Sequence, residues 1–222
     1  STEMQNEFLE LGNRIPILKI GIPPMFSTIF FPEVINAFEL HHPDIQIELD
    51  EFGSVRACNL VQEEKLGLAI VNMEQFNIDK FESRVLAKEQ LVYVVSKNHP
   101  MSGKKYMTIE DFKDEKLVMF NVDSVQNELL KNRFDGLNIS PHIIMRSSQL
   151  YTTLKFVDKG NCGCFLLSDM LPHFREYVGI PLKPSIDVKI GIIWKKENFL
   201  SHSAQLFIDF AMQYCSEKII TP

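Results

Sequence analysis

What most constrains this chain is a rhythm: short apolar runs alternate with helix-like stretches, and only a few residues join them. Residues 17–22 (ILKIGI) read as a buried strand that Pro23-Pro24 breaks. Residues 30–41 carry Val34, Ile35 and Phe38 on one face, with Pro32 in the first turn, where a missing N–H does no harm. Residues 45–49 alternate again, Ser54 is an N-cap candidate for a helix to about Lys65, and 68–71 form the next strand. Strands and helices linked this tightly predict a parallel sheet with crossover helices, an α/β fold.

The rhythm restarts at Leu91. Strands are expected at 91–95, 117–120, 143–145, 164–167 and 188–194. Between them, Thr108 and Asp111 frame a short helix, a longer one starts near Ser124, and a third runs from Ser147 or Ser148 to Lys159, closed by Gly160. Residues 203–215 form a last amphipathic helix. Two such units predict two Rossmann-like lobes joined by crossover strands near 91–96 and 194–196. Residues 15–91 with 196–222 would make lobe I, and 92–195 lobe II. Residues 1–14, with Met4, Phe8 and Leu11 at helical spacing, read as the end of an amphipathic helix in need of a partner.

Composition then removes whole classes of function. With 23 Lys+Arg against 29 Asp+Glu the net charge is -6, and no basic cluster stands out, so this chain alone is not expected to bind nucleic acid. No apolar run approaches the roughly 18 residues of a membrane span. Four cysteines are too few for a disulfide framework in 222 residues, and no leader-like segment opens the sequence, which points to the cytoplasm. The phosphate-loop, G-x-S-x-G, H-E-x-x-H and G-x-G-x-x-G patterns are missing, so neither an enzyme nor a cofactor is expected. Cys162-Gly163-Cys164 lacks the second ligand pair of a zinc site and reads as buried small hydrophobes, so no metal is expected.

One pattern does suggest binding. Hydroxyl residues recur where strands give way to helices: Ser27 and Thr28, Ser54, Ser124, and Ser147-Ser148. Open parallel sheets hold ligands beyond the carboxyl ends of their strands, where helix N-termini present unpaired N–H groups. Two facing lobes would gather these junctions around one cleft suited to a small anion.

In this order the residues also resemble a known family. Residues 18–49 (LKIGIPPMFSTIFFPEVINAFELHHPDIQIEL) resemble the opening of the effector-binding domain of LysR-type transcriptional regulators. So do 91–101 (LVYVVSKNHPM), the short 108–112 helix, 156–167 (FVDKGNCGCFLL) and the helix from Ser203. The resemblance implies a fold like that of type 2 periplasmic binding proteins, an effector between the lobes, and assembly as dimers or tetramers. It further implies a winged helix-turn-helix and a linker helix ahead of this domain, so that DNA is met only through a part not contained here. The effector-facing positions it implies are Pro24, Met25, Phe26 and Ser27 after the first strand, Ser54 after the second and Asn72 after the third. In the other lobe they are Asn121, Ser124, Ser148 and Gln149. Met25 stands where the family usually has Ser or Thr. An extracytoplasmic solute-binding protein of a transporter shares this fold and is the alternative; unpaired cysteines and the apolar stripe before Gly12 weigh against it.

Overall fold

The computed structural model describes residues 15–29, 31–74, 78–197 and 199–220. The amphipathic helix end expected over 1–14 lies outside them. Strand β1 (Ile17–Ile22) forms as its apolar run predicts. Pro23-Pro24 does not open a loop, however: Pro24 starts a short helix, α1 (Pro24–Ile29), because its fixed φ suits a first helical position. Helix α2 (Phe31–His41) buries Phe31, Val34 and Phe38. Strand β2 (Gln46–Glu51) is an exposed edge guarded by its charges. Helix α3 (Ser54–Gln62) is shorter than expected, because Glu64 takes a left-handed φ of 59° and the N–H groups of Lys65 and Leu66 turn back to Leu60 O. Strand β3 (Leu68–Asn72) is buried throughout. These three strands pair in parallel in the order β2-β1-β3.

Strand β4 (Phe81–Ser96) runs 16 residues, and its first ten (FESRVLAKEQ) carry too many charges to read as a strand. They pair antiparallel with β9 (Asp187–Lys195), which in turn pairs antiparallel with β3. From Leu91 onward β4 instead pairs with β7 (Cys164–Leu167) and β8 (Tyr177–Pro181). The chain therefore leaves the first sheet between Gln90 and Leu91. Residues 187–195, expected in the second lobe, hydrogen-bond within the first lobe's sheet, so the return crossing precedes Asp187. This strand also makes that sheet mixed rather than wholly parallel.

The second sheet is completed by β5 (Lys116–Met119) and β6 (His142–Arg146), a parallel pair that joins β7 through Gly163. Val118 N–H donates to Gly163 O at 2.9 Å, and Gly163 N–H donates to Lys116 O at 3.0 Å. Helices α4 (Val125–Gly136) and α5 (Leu150–Lys159) are its crossovers. Gly160 ends α5 in extended rather than left-handed backbone, at φ −109°. Thr108 N–H bonds the Asp111 carboxylate at 2.8 Å and opens the 3-10 turn Ile109–Phe112. Helix α6 (His202–Ile220) returns to the first lobe, where Phe207 meets Phe38 edge-on at 5.3 Å.

Candidate functional site

A cavity of about 190 Å³ opens where the carboxyl ends of β1, β2, β5 and β6 converge, with β7 as its floor. The first lobe contributes Pro23 to Met25 and Glu51 to Ser54, together with Arg56. Asn121, Asp123, Ser124, Gln126, Ser147, Ser148 and Thr153 come from the second, over a base of Met119, Cys164 and Phe165. Three helices of nine to twelve residues, α3, α4 and α5, begin at this cavity. Their N-cap residues Gly53, Ser124 and Gln149 make no side-chain capping bond. The first N–H groups of each therefore keep their donors, and the helix dipoles favour negative charge there.

Of the ten residues expected to face an effector, Pro24, Met25, Ser54, Asn121, Ser124 and Ser148 line this cavity. Phe26, Ser27, Asn72 and Gln149 do not. Phe26 is buried and borders a second cavity of about 480 Å³ behind α1. The Ser27 hydroxyl turns back to Pro24 O at 2.7 Å and to the Glu51 carboxylate, because the segment expected as a loop is helical. Asn72 is fully buried: its Oδ1 accepts Glu74 N–H at 3.0 Å, while its Nδ2 has no partner among the described residues. Gln149 is exposed, and its Oε1 accepts the Thr152 hydroxyl at 3.1 Å.

Ser54 is not the N-cap of α3. Gly53 holds that position, and Ser54, buried as the first helical residue, accepts Asn72 N–H at 3.0 Å. Its hydroxyl thus ties α3 to the end of β3. In the second lobe the Ser124 hydroxyl donates to Gln126 Oε1 at 2.8 Å, and Ser147 Oγ accepts Gln149 N–H at 3.0 Å. Arg146 braces the start of α4 by donating to Asn127 Oδ1 at 2.6 Å and Phe120 O at 3.3 Å.

The lobes approach each other closely at Gly53. A Cβ there would stand 2.4 Å from Asp123 Oδ2 and 2.6 Å from Asp123 O, so only glycine lets the 121–124 turn sit this near α3. Sequence reasoning missed the charged wall: Glu51, Arg56 and Asp123. Arg56 does leave a signal, since a cation in the first turn of a helix opposes the dipole and calls for another reason. Its guanidinium is held 4.8 Å over the Phe52 ring.

The cysteines sit in surroundings that disfavour thiolate. Burial pushes the Cys58 thiol up to about 12 and raises those of Cys162 and Cys164. Among the described residues no group of three His, Cys, Asp or Glu could hold a metal, and no helix is long and apolar enough to cross a membrane.

Comparison with known proteins gives this geometry its setting. Residues 14–216 match the family model described as LysR substrate binding domain. The uncharacterized HTH-type transcriptional regulator YwbI of Bacillus subtilis (strain 168) is 28% identical over 201 residues, 89% of this chain and 66% of that protein. The transcriptional dual regulator GltC of the same organism is 25% identical over 206 residues, 90% of this chain and 68% of its own. The chain thus spans about two thirds of the length of these regulators. Many solved structures share its fold. The effector binding domain of QuiR in complex with shikimate has a TM-score of 0.78 at 22% identity, covering 92% of this chain and 99% of that one. The Synechocystis PCC6803 CcmR regulatory domain in complex with 2-PG has a TM-score of 0.81 at 18% identity, covering 90% and 97%. With the match extending over nearly all of its residues, this chain belongs to the LysR substrate-binding-domain family.

Proposed function

We propose that this domain senses a small metabolite carrying an anionic group, which it binds in the cavity between its lobes. The observation that carries the reading is the convergence of three helix N-termini without side-chain caps on one cavity at the strand ends. That arrangement supplies donors and positive potential without any metal or cofactor. In the intact regulator, ligand binding re-sets the two lobes, and the change reaches a winged helix-turn-helix through a homo-oligomer. The effector acts only by binding two arrangements unequally. The relatives are named as transcriptional regulators, which supports regulation over catalysis and lends nothing to the transporter alternative.

A thermal-shift screen of cellular carboxylates and other metabolites tests this. At about 100 times its Kd an effector adds roughly 2.7 kcal/mol of stability. The variants Arg56→Gln and Thr153→Val should lose most of that gain while the unliganded domain melts within a few degrees of the parent. If nothing in the screen raises the melting temperature, the sensing role is wrong.

A further inference from the structure

The charge on the cavity wall says more about the ligand than that it carries an anion. Among the described lining residues Arg56 is the one cation, and Glu51 and Asp123 are carboxylates. Neither carboxylate lies within ion-pair distance of a cation among the described residues, and Glu51 accepts a hydrogen bond from the neutral hydroxyl of Ser27. Nor, among the described residues, does the Arg56 guanidinium pair with an acid; it rests on Phe52. Arg56 stands in the first turn of α3 in one lobe, while Asp123 stands in the turn before α4 in the other and closes against Gly53. A ligand with carboxylates alone would find donors at the helix ends and then face two unneutralised carboxylates as the lobes approach. Like charges brought together in a partly dry cavity are costly.

We infer that the effector is amphoteric: a small molecule of the amino-acid kind, its carboxylate taken by Arg56 and the helix N-termini and its ammonium group by Asp123 and Glu51. This rests on the sensing role proposed above and adds the ligand's charge class. Because Asp123 and Arg56 belong to different lobes, such a ligand would connect the lobes through opposite ends. A purely anionic ligand would leave Asp123 repelled.

Titration calorimetry on the 222-residue chain with matched probes decides the matter. The probes are the protein amino acids and short ω-amino acids, each beside its deamino acid and its decarboxylated amine. At least one amino acid should bind about tenfold or more tighter than both of its single-charge counterparts. Asp123→Asn should weaken that amino acid about tenfold or more while leaving its deamino acid bound no more weakly than before. Arg56→Gln should weaken amino acids and deamino acids and spare amines. Thermal melts of both variants establish that they fold. A deamino acid that binds as tightly as its amino acid, or indifference to Asp123→Asn, overturns the inference. An effector from the wider screen that carries no cationic group does the same and leaves the sensing role standing. If no compound of any charge class binds, the sensing role falls and takes this inference with it.

Discussion

The lobe built on β1, β2 and β3 and the lobe built on β5, β6 and β7 face one cleft but fill their interiors differently. The first packs Leu18, Ile20, Ile22, Leu68 and Ile70 against Phe38, which meets Phe207 and Phe210 edge-on at 5.3 and 5.5 Å, contacts of shape rather than of buried polar groups. At the cleft floor, the second packs Tyr93, Phe112 and Phe165 at ring-centre distances of 4.8 to 5.5 Å. Polar groups are buried with them. Tyr93 donates to Glu115 Oε2 at 2.5 Å, and His99 Nε2 approaches the same oxygen at 3.5 Å. His99 Nδ1 accepts Met101 N–H at 3.2 Å, so the ring proton sits on Nε2, toward Glu115. Burial, then the Glu115 carboxylate, raises the Tyr93 phenol and keeps it protonated as donor. Directional bonds fix the second lobe in one arrangement, whereas the first has mostly contact and shape. Phe165 pairs in register with Tyr93 and itself lines the cavity, so this cluster reaches the cavity floor through Phe165.

Glycine substitutions should expose that contrast most strongly. A Cβ on Gly163 would fall 2.3 to 2.5 Å from the Tyr93 ring and hydroxyl, which are fixed by Glu115 and the surrounding rings. A Cβ on Gly21 would meet Leu66 Cδ1 at 2.7 Å, the far end of a flexible side chain. Gly163→Ala is therefore expected to cost about 3 kcal/mol and Gly21→Ala about 1 kcal/mol or less. Urea midpoints compared at equal slope measure both. Similar losses at the two positions would mean that the lobes are equally stiff.

Removing single hydroxyls asks the same question more gently. Tyr93→Phe leaves a buried carboxylate with, among the described residues, only a distant His99 for company, and about 2 kcal/mol should be lost. Ser54→Ala removes one neutral bond to Asn72 N–H in the first lobe, worth about 1 kcal/mol. The reverse order would place the more demanding polar network in the first lobe.

How much of this was legible depended on whether a residue's own lobe explains it. Strands β3 and β7 are buried throughout, and β1 and β9 are buried over Ile20–Ile22 and Ile190–Trp194, so their apolar runs announce them. The first half of β4 does not, because Glu82, Arg84, Lys88 and Gln90 face water on a strand that links the lobes. Strand β8 (YVGIP) is hidden by its glycine and proline, and α1 by a Pro-Pro pair that ordinarily signals a break. Ser124 and Ser148 could be placed at the cleft because junction hydroxyls belong to a local pattern. Glu51, Arg56 and Asp123 could not: in its own lobe each is an ordinary surface charge, and only the opposing lobe makes it a wall.

Between the two interiors lies Glu89, on the crossing strand, where Ser168 Oγ donates to it at 2.8 Å and Asp169 N–H at 3.3 Å. Burial, then the hydrogen bond with the Asp169 carboxyl, lifts its carboxyl from the ordinary 4.5 to about 7. A raised carboxyl pKa means that the folded state holds the proton longer than the unfolded chain does. Its stabilisation is thus present below about pH 4.5 and lost as pH rises through 7. With solvent screening the effect is on the order of 1 kcal/mol. Urea unfolding followed from pH 4.5 to 7.5 should show that decline, and Glu89→Gln should flatten it. An unchanged slope in the variant would mean that the junction does not titrate separately from the lobes it joins.

The smallest stability change is expected where the lobes touch, and there it is the shape that should move. Gly53→Ala places a methyl against Asp123, and the side chain cannot yield alone because Asp123 O is nearly as close as Oδ2. Neither interior is altered, so the melting temperature should shift by no more than a degree or two, about 0.5 kcal/mol. The 121–124 turn and α3 must then separate. Small-angle scattering should report a larger radius of gyration, and Asp123→Gly added to Gly53→Ala should restore it only in part, since the backbone oxygen remains. An unchanged radius would mean that the closure is set by the crossing strands alone and not by the contact of Gly53 with Asp123.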